Sequence, residues 1–111
     1  MKISFLLSLM IFFSSAAFSE CGGGSCTDVK ITRMFISADG NSVIGTSGDE
    51  SKLSCDAGSK GYITLDKDTS ENYNAVYALL LAAHTTEHPM RIRTNESEND
   101  ACKIIYVVSD K

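Results

Sequence analysis

Apolar and polar side chains alternate along residues 28–38, DVKITRMFISA, and many are β-branched, so this stretch reads as a strand. Val29 and Ile31 share one phase and Met34 and Ile36 the other. A phase change inside one run predicts a bulge, which bends the strand. Asp39-Gly40 is a tight-turn signal, and residues 41–46 return as a second strand through Val43 and Ile44. Beyond the polar loop GTSGDESK, residues 53–55 and 61–65 flank DAGSK, and YITL is expected to be the third strand. Residues 90–94, MRIRT, alternate cleanly and predict a fourth strand with one wet face. Residues 103–108, KIIYVV, form an unbroken apolar run, expected as a last strand buried on both faces or covered by a neighbour.

Between the third and fourth strands lies a segment of different period, residues 68–84, DTSENYNAVYALLLAAH. At 100° per residue, Tyr73, Val76, Tyr77, Leu80 and His84 fall on one helical face. Asp68 with Glu71 three positions later has the pattern of a capping box, which places the helix start at the following residue. His84 and His88 sit near the end, and Pro89 stops the helix. The face opposite the core stripe carries Ala75, Ala78, Ala82 and, at its edge, Leu79, where a surface helix would carry Lys and Glu. A helix that is apolar all round is a buried helix. In so short a chain one face packs on the chain's own core, and the other, through Ala75, Ala78, Leu79 and Ala82, is expected to pack on another subunit.

Three strands, a helix and two strands make a mainly β domain with one helix, and the order β-β-β-α-β-β matches the five-stranded OB-like barrel. An α+β sheet with the helix packed across one face is the competing arrangement.

Ahead of this domain, Met1-Lys2, an apolar run from Phe5 to Phe13 and SSAAFSE form the three zones of a signal peptide. The run is too short to span a bilayer as a helix. Ala17 and Ser19 are the small residues a signal peptidase reads, so residues 1–19 are expected to be removed by cleavage after Ser19. A lipoprotein signal at Cys21 needs a small residue just before the cysteine, and Glu20 stands there. Residues 20–111 then form a single secreted or periplasmic domain. Losing Lys2 takes the net charge from −4 to −5, against the basic footprint of a nucleic-acid binder and against an anionic membrane surface.

Four cysteines in an exported chain imply two disulfides, for which three pairings exist. The Cys21-Gly-Gly-Gly-Ser-Cys26 ring is flexible enough to close on itself, leaving Cys55 with Cys102. In an OB barrel the third and fifth strands run parallel side by side, which puts Cys55 and Cys102 at the same end of neighbouring strands. No paired Cys-x-x-Cys is present to favour a metal site.

Each remaining candidate has a plainer reading beside it. His84 and His88 have the spacing of a metal pair but also suit a helix C-terminus, and no HExxH accompanies them. Asp66, Asp68 and Ser70 imitate the start of a calcium loop, yet Glu71 replaces the required glycine. Arg91 and Arg93 lie on one face of a strand, able to hold a carboxylate or acidic sugar, or simply solvated. Tyr62 and Tyr106 could stack on a sugar ring or belong to the core. No GxSxG motif and no phosphate-binding loop occurs, so neither catalytic residues nor a cofactor are expected.

With its leader, its Cys55 and Cys102 placement and its helix YNAVYALLLAAH before the fourth strand, the chain resembles the small secreted OB-fold B subunits of AB5 toxins, in the branch of subtilase cytotoxin and pertussis toxin. The likeness covers residues 27–108 in order of elements. It implies a ring-shaped homopentamer that binds host glycans and serves an exported enzymatic subunit. No glycan-contact residue of that family transfers to a position here. An exported inhibitor or structural protein that binds another protein through the same apolar surfaces is the alternative.

Overall fold

The computed structural model describes residues 19–110, so the expected leader, residues 1–19, lies outside the described residues except for Ser19. The elements in chain order are β1 (Glu20–Gly22), β2 (Ser25–Val29), β3 (Ile31–Ile36), β4 (Ser42–Thr46), a short 3-10 turn (Glu50–Lys52), β5 (Ile63–Leu65), α1 (Tyr73–Thr86), β6 (Met90–Thr94) and β7 (Ile104–Ser109). They form two antiparallel sheets, β1-β2-β6-β7 and β3-β4-β5, with one helix.

Seven strands replace the five expected, for two local reasons. Cys21 and Cys26 sit opposite each other in β1 and β2, so the glycine ring is a hairpin rather than a loose loop. Gly23 at its tip has φ +57, a conformation that a side chain disfavours. The long first strand also divides at Lys30, where the chain passes from one sheet to the other. Asp28, at φ 53, takes up the bend beside a register shift between Cys26 and Val29, and a second shift falls between Ile31 and Arg33. The phase change read from the sequence therefore corresponds to real bulges, with Asp a residue able to adopt the left-handed conformation.

The two sheets touch where β5 meets the start of the last strand. Thr64 and Lys103 form a parallel bridge, and the Thr64 amide donates to the Cys102 carbonyl at 2.8 Å. A second parallel bridge joins Asp56 to Ala101, with the Cys102 amide donating to Asp56 O and the Asp56 amide to Asp100 O. Cys55–Cys102 is a disulfide across this junction, as is Cys21–Cys26 across the first hairpin. Both pairings follow the sequence expectation, and two buried disulfides point to an oxidising compartment.

One apolar cluster fills the space between the sheets and the helix, with Ile44, Ile63, Leu65, Leu80 and Ile92 sealed from solvent. Burying one such side chain stabilises the fold by about 1.5–3 kcal/mol. The helix begins at Tyr73, later than the capping box placed it, and Asn72 makes no side-chain cap bond. The Asp66 carboxylate accepts from the Asp68 amide, holding Asp68 in a turn where it cannot cap anything. The helix also continues past His84 to Thr86, and Glu87 closes it in the left-handed conformation, its amide reaching Ala83 O. Tyr73, Val76 and Tyr77 pack against the core as expected, but Ala83 rather than His84 is the fully buried partner of Leu80.

Candidate functional site

The outer face of α1 is open to solvent. Ala75, Ala78, Leu79 and Ala82 are all exposed, as is Leu81 beside them. Ala75, Val76 and Leu79 form one wall of a groove of about 940 Å³ whose other wall is Ile104–Val107 of β7. The groove exists because β7 pairs with β6 along one edge only. Beyond Lys103 its other edge makes no strand partner among the described residues.

The expectation that 103–108 would be buried on both faces does not hold within the chain. Ile105 is 60 % exposed and Tyr106 48 %. The cause is a register shift: Arg93 faces Tyr106 and Thr94 faces Ile104, so Ile105 is an extra residue pushed out of the ladder. Nothing in the run KIIYVV marks which isoleucine is displaced, so the sequence could not have singled out Ile105. Further along the helix, Leu79 and Ala82 with Met90 and Ser109 line a smaller cleft, and the apolar seam thus follows most of α1.

The other sequence candidates are separated by the fold. His84 Nδ1 lies 2.8 Å from Ile31 O, which fixes the tautomer with Nδ1 protonated and pins α1 to β3. His88 Nε2 instead meets Asp110 O at 2.7 Å, and no cluster of three metal-ligating side chains occurs among the described residues. Asp66 takes the Asp68 amide and the Lys103 ammonium at 3.0 Å, and both contacts lower its pKa, the amide bond more. Arg91 pairs with Asp110 at 3.3 Å and Arg93 with Glu96 at 3.6 Å, so neither guanidinium is free of a carboxylate. Tyr106 stands opposite Arg93 in the four-stranded sheet, whereas Tyr62 immediately precedes β5 and bonds to Arg33.

On that second sheet, sequence reasoning missed a polar recess of about 480 Å³. Arg33 faces Gly45 across β3 and β4, and Ile44 faces Ile63, which sets Tyr62 on the other side of Gly45. Arg33 Nη1 donates to Tyr62 Oη at 2.8 Å, and the Tyr62 ring meets Phe35 edge-on at 5.3 Å between centroids. Glu50 forms the inner wall. Only 9 % exposed, it accepts from the Thr46 amide and hydroxyl through Oε1, each at 2.7 Å. The signal in the sequence was a single glycine inside a strand pattern, which marks a close approach or an opening.

No protein-family model matches this chain, and neither the curated proteins nor the solved structures contain a match to it.

Proposed function

We propose that the chain is an exported, non-enzymatic binding module that assembles with copies of itself and presents a glycan-binding surface, in the manner of the toxin B subunits it resembles. The observation that carries this reading is the apolar seam formed by the outer face of α1 and the unpaired edge of β7. Soluble monomers limit such surfaces, and an unpaired strand edge invites a partner. Small side chains at Ala75, Ala78 and Ala82 let a second backbone come close. The strand order supports an OB-like barrel: β2 and β3 serve as one bent first strand, and β5 meets the last strand in parallel through Thr64 and Lys103. Export rests on the leader pattern and the two disulfides, and the non-enzymatic part on the lack of a nucleophile or phosphate-binding motif in the sequence. A ring of five and an exported enzymatic partner come from the resemblance alone.

Light scattering of the exported protein tests the reading. An oligomer is expected, and Ala78→Glu should release folded monomers, because it buries a charge only in the assembly. A monodisperse monomer at micromolar concentration overturns self-association and favours the alternative, a small domain that docks a different protein in the same groove.

A further inference from the structure

We propose that the recess between Arg33, Glu50 and Tyr62 binds a neutral pyranose through a vicinal pair of hydroxyls. This rests on the glycan-binding part of the reading above and gives it a location. Of the three arginines, Arg91 and Arg93 are answered by carboxylates, whereas Arg33 has no acidic partner within ion-pair distance among the described residues. Its bond to the Tyr62 hydroxyl uses one of five N–H donors and orients the planar fork without neutralising it.

Gly45 forms the floor, and the strand itself does not demand a glycine there. A Cβ at Gly45 would meet Arg33 Cβ at 3.6 Å, Thr32 Oγ1 at 3.7 Å and Tyr62 Cε1 at 3.9 Å, all ordinary contacts, and its backbone is not left-handed. Gly45 in the central strand forgoes packing that alanine would supply, and the result is open space between two rows of side chains.

The opposite wall supplies the complementary chemistry. Glu50 Oε1 is saturated by Thr46, while Oε2 takes no hydrogen bond among the described residues and lies beside Gly61, which also lines the recess. No described side-chain oxygen is both sealed and unpartnered, so Oε2 opens to the recess. An accessible carboxylate oxygen with no protein donor is free to accept a hydrogen bond from a ligand hydroxyl in place of solvent. A vicinal diol can give one hydroxyl hydrogen to Oε2 and accept from an Arg33 N–H, and the Tyr62 ring offers an apolar flank for the C–H face of a sugar. Exposed Lys60 also lines the recess, so an anionic substituent is disfavoured at the Oε2 end, where it would confront the Glu50 carboxylate with no hydrogen to give.

Titrating the isotope-labelled protein with methyl glucopyranoside, methyl mannopyranoside, methyl glucuronide and inorganic sulfate, and following its amide resonances, tests the site. The neutral glycosides should shift residues 32–33, 45–46, 50 and 60–62 in a saturable way, with the glucuronide weaker and sulfate inert. Gly45→Ala should hold or raise the thermal midpoint and weaken glycoside binding about tenfold or more by filling the floor, and Glu50→Gln should weaken binding as well by turning the Oε2 acceptor into a donor. Equal shifts from sulfate, tighter binding of the glucuronide, or a Gly45→Ala protein that binds unchanged each overturn the proposal. Shifts confined to β6 and β7 remove this site but leave the glycan reading standing, whereas no response to any sugar removes both.

Discussion

The final segment of the chain behaves as two different regions. Residues 101–103 are closed: two parallel bridges, a disulfide and the Lys103–Asp66 ion pair hold them to Thr64 of β5 and to the flanking residues Cys55, Asp56 and Asp66. From Ile104 onward the same strand has a ladder on one side and a groove on the other. The difference teaches that the junction between the sheets is fastened at one end only. What the fastening leaves uncovered is apolar, with Ile105 and Leu81 exposed. Closed and open positions should therefore respond oppositely to change, the first in folding stability and the second in association.

The largest effect is expected at the fastening. Replacing Cys55 and Cys102 by alanine frees a loop with a sequence separation of 47, worth about 4 kcal/mol in the chain-entropy model, against about 2 kcal/mol for Cys21–Cys26 with a separation of 5. Urea unfolding of the two double variants checks the order, and equal losses would show that the sheet junction is not the weak point. Next comes the boundary between the regions. Ile104→Ala should destabilise by about 2–5 kcal/mol, because its side chain is buried. Its neighbour Ile105→Ala should stay within about 0.5 kcal/mol, since that side chain stands in solvent. Comparable losses from the two would erase the distinction drawn here.

A smaller effect is expected from the 95–103 loop. Asn95 donates to Ala101 O at 3.1 Å and accepts from the Lys103 amide at 2.8 Å, so Asn95→Ala should cost about 1–2 kcal/mol in the same assay. The weakest handle is acid. Asp66 is lowered first by the Asp68 amide and then by Lys103, Asp39 first by the Ser37 hydroxyl, and Asp49 first by the Ser51 hydroxyl. A carboxyl with a depressed folded pKa contributes stability above its unfolded value of about 3.9, lost as pH falls through the folded value. Thermal midpoints should accordingly decline below about pH 4, and Asp66→Asn should flatten that decline. An unchanged slope in the variant would remove Asp66 from the account.

Much of this architecture is legible from local pattern. The Asp39-Gly40 hairpin, β4, β5 and β6 lie where turn chemistry and alternation put them, because each signal is confined to a few neighbours. The helical period likewise puts Ala75, Ala78 and Ala82 together on one side of α1, and in the single chain all three are exposed. What escapes the sequence depends on partners far along the chain or on geometry with no residue signature. Asp68 has the spacing of a cap, but Asp66 competes for its amide. The glycine ring becomes a hairpin because β6 lies ready to pair with β2. A run such as KIIYVV reads alike whether its cover is internal or external, so the exposure of Ile105 needed the register shift to be seen. Arg33 looked no different from Arg91 and Arg93 until their carboxylate partners were placed.

The Cys55–Cys102 bond also makes the segment from β5 through α1 to β6 a covalent ring, with β1 to β4 on one side of it and β7 on the other. A protease that cuts the exposed turn at residues 96–100 opens that ring without releasing either piece. The nicked protein migrates as a single species until a reductant is added, and only then separates into two fragments. Both walls of the groove, α1 within the ring and β7 outside it, stay tethered after such a cut.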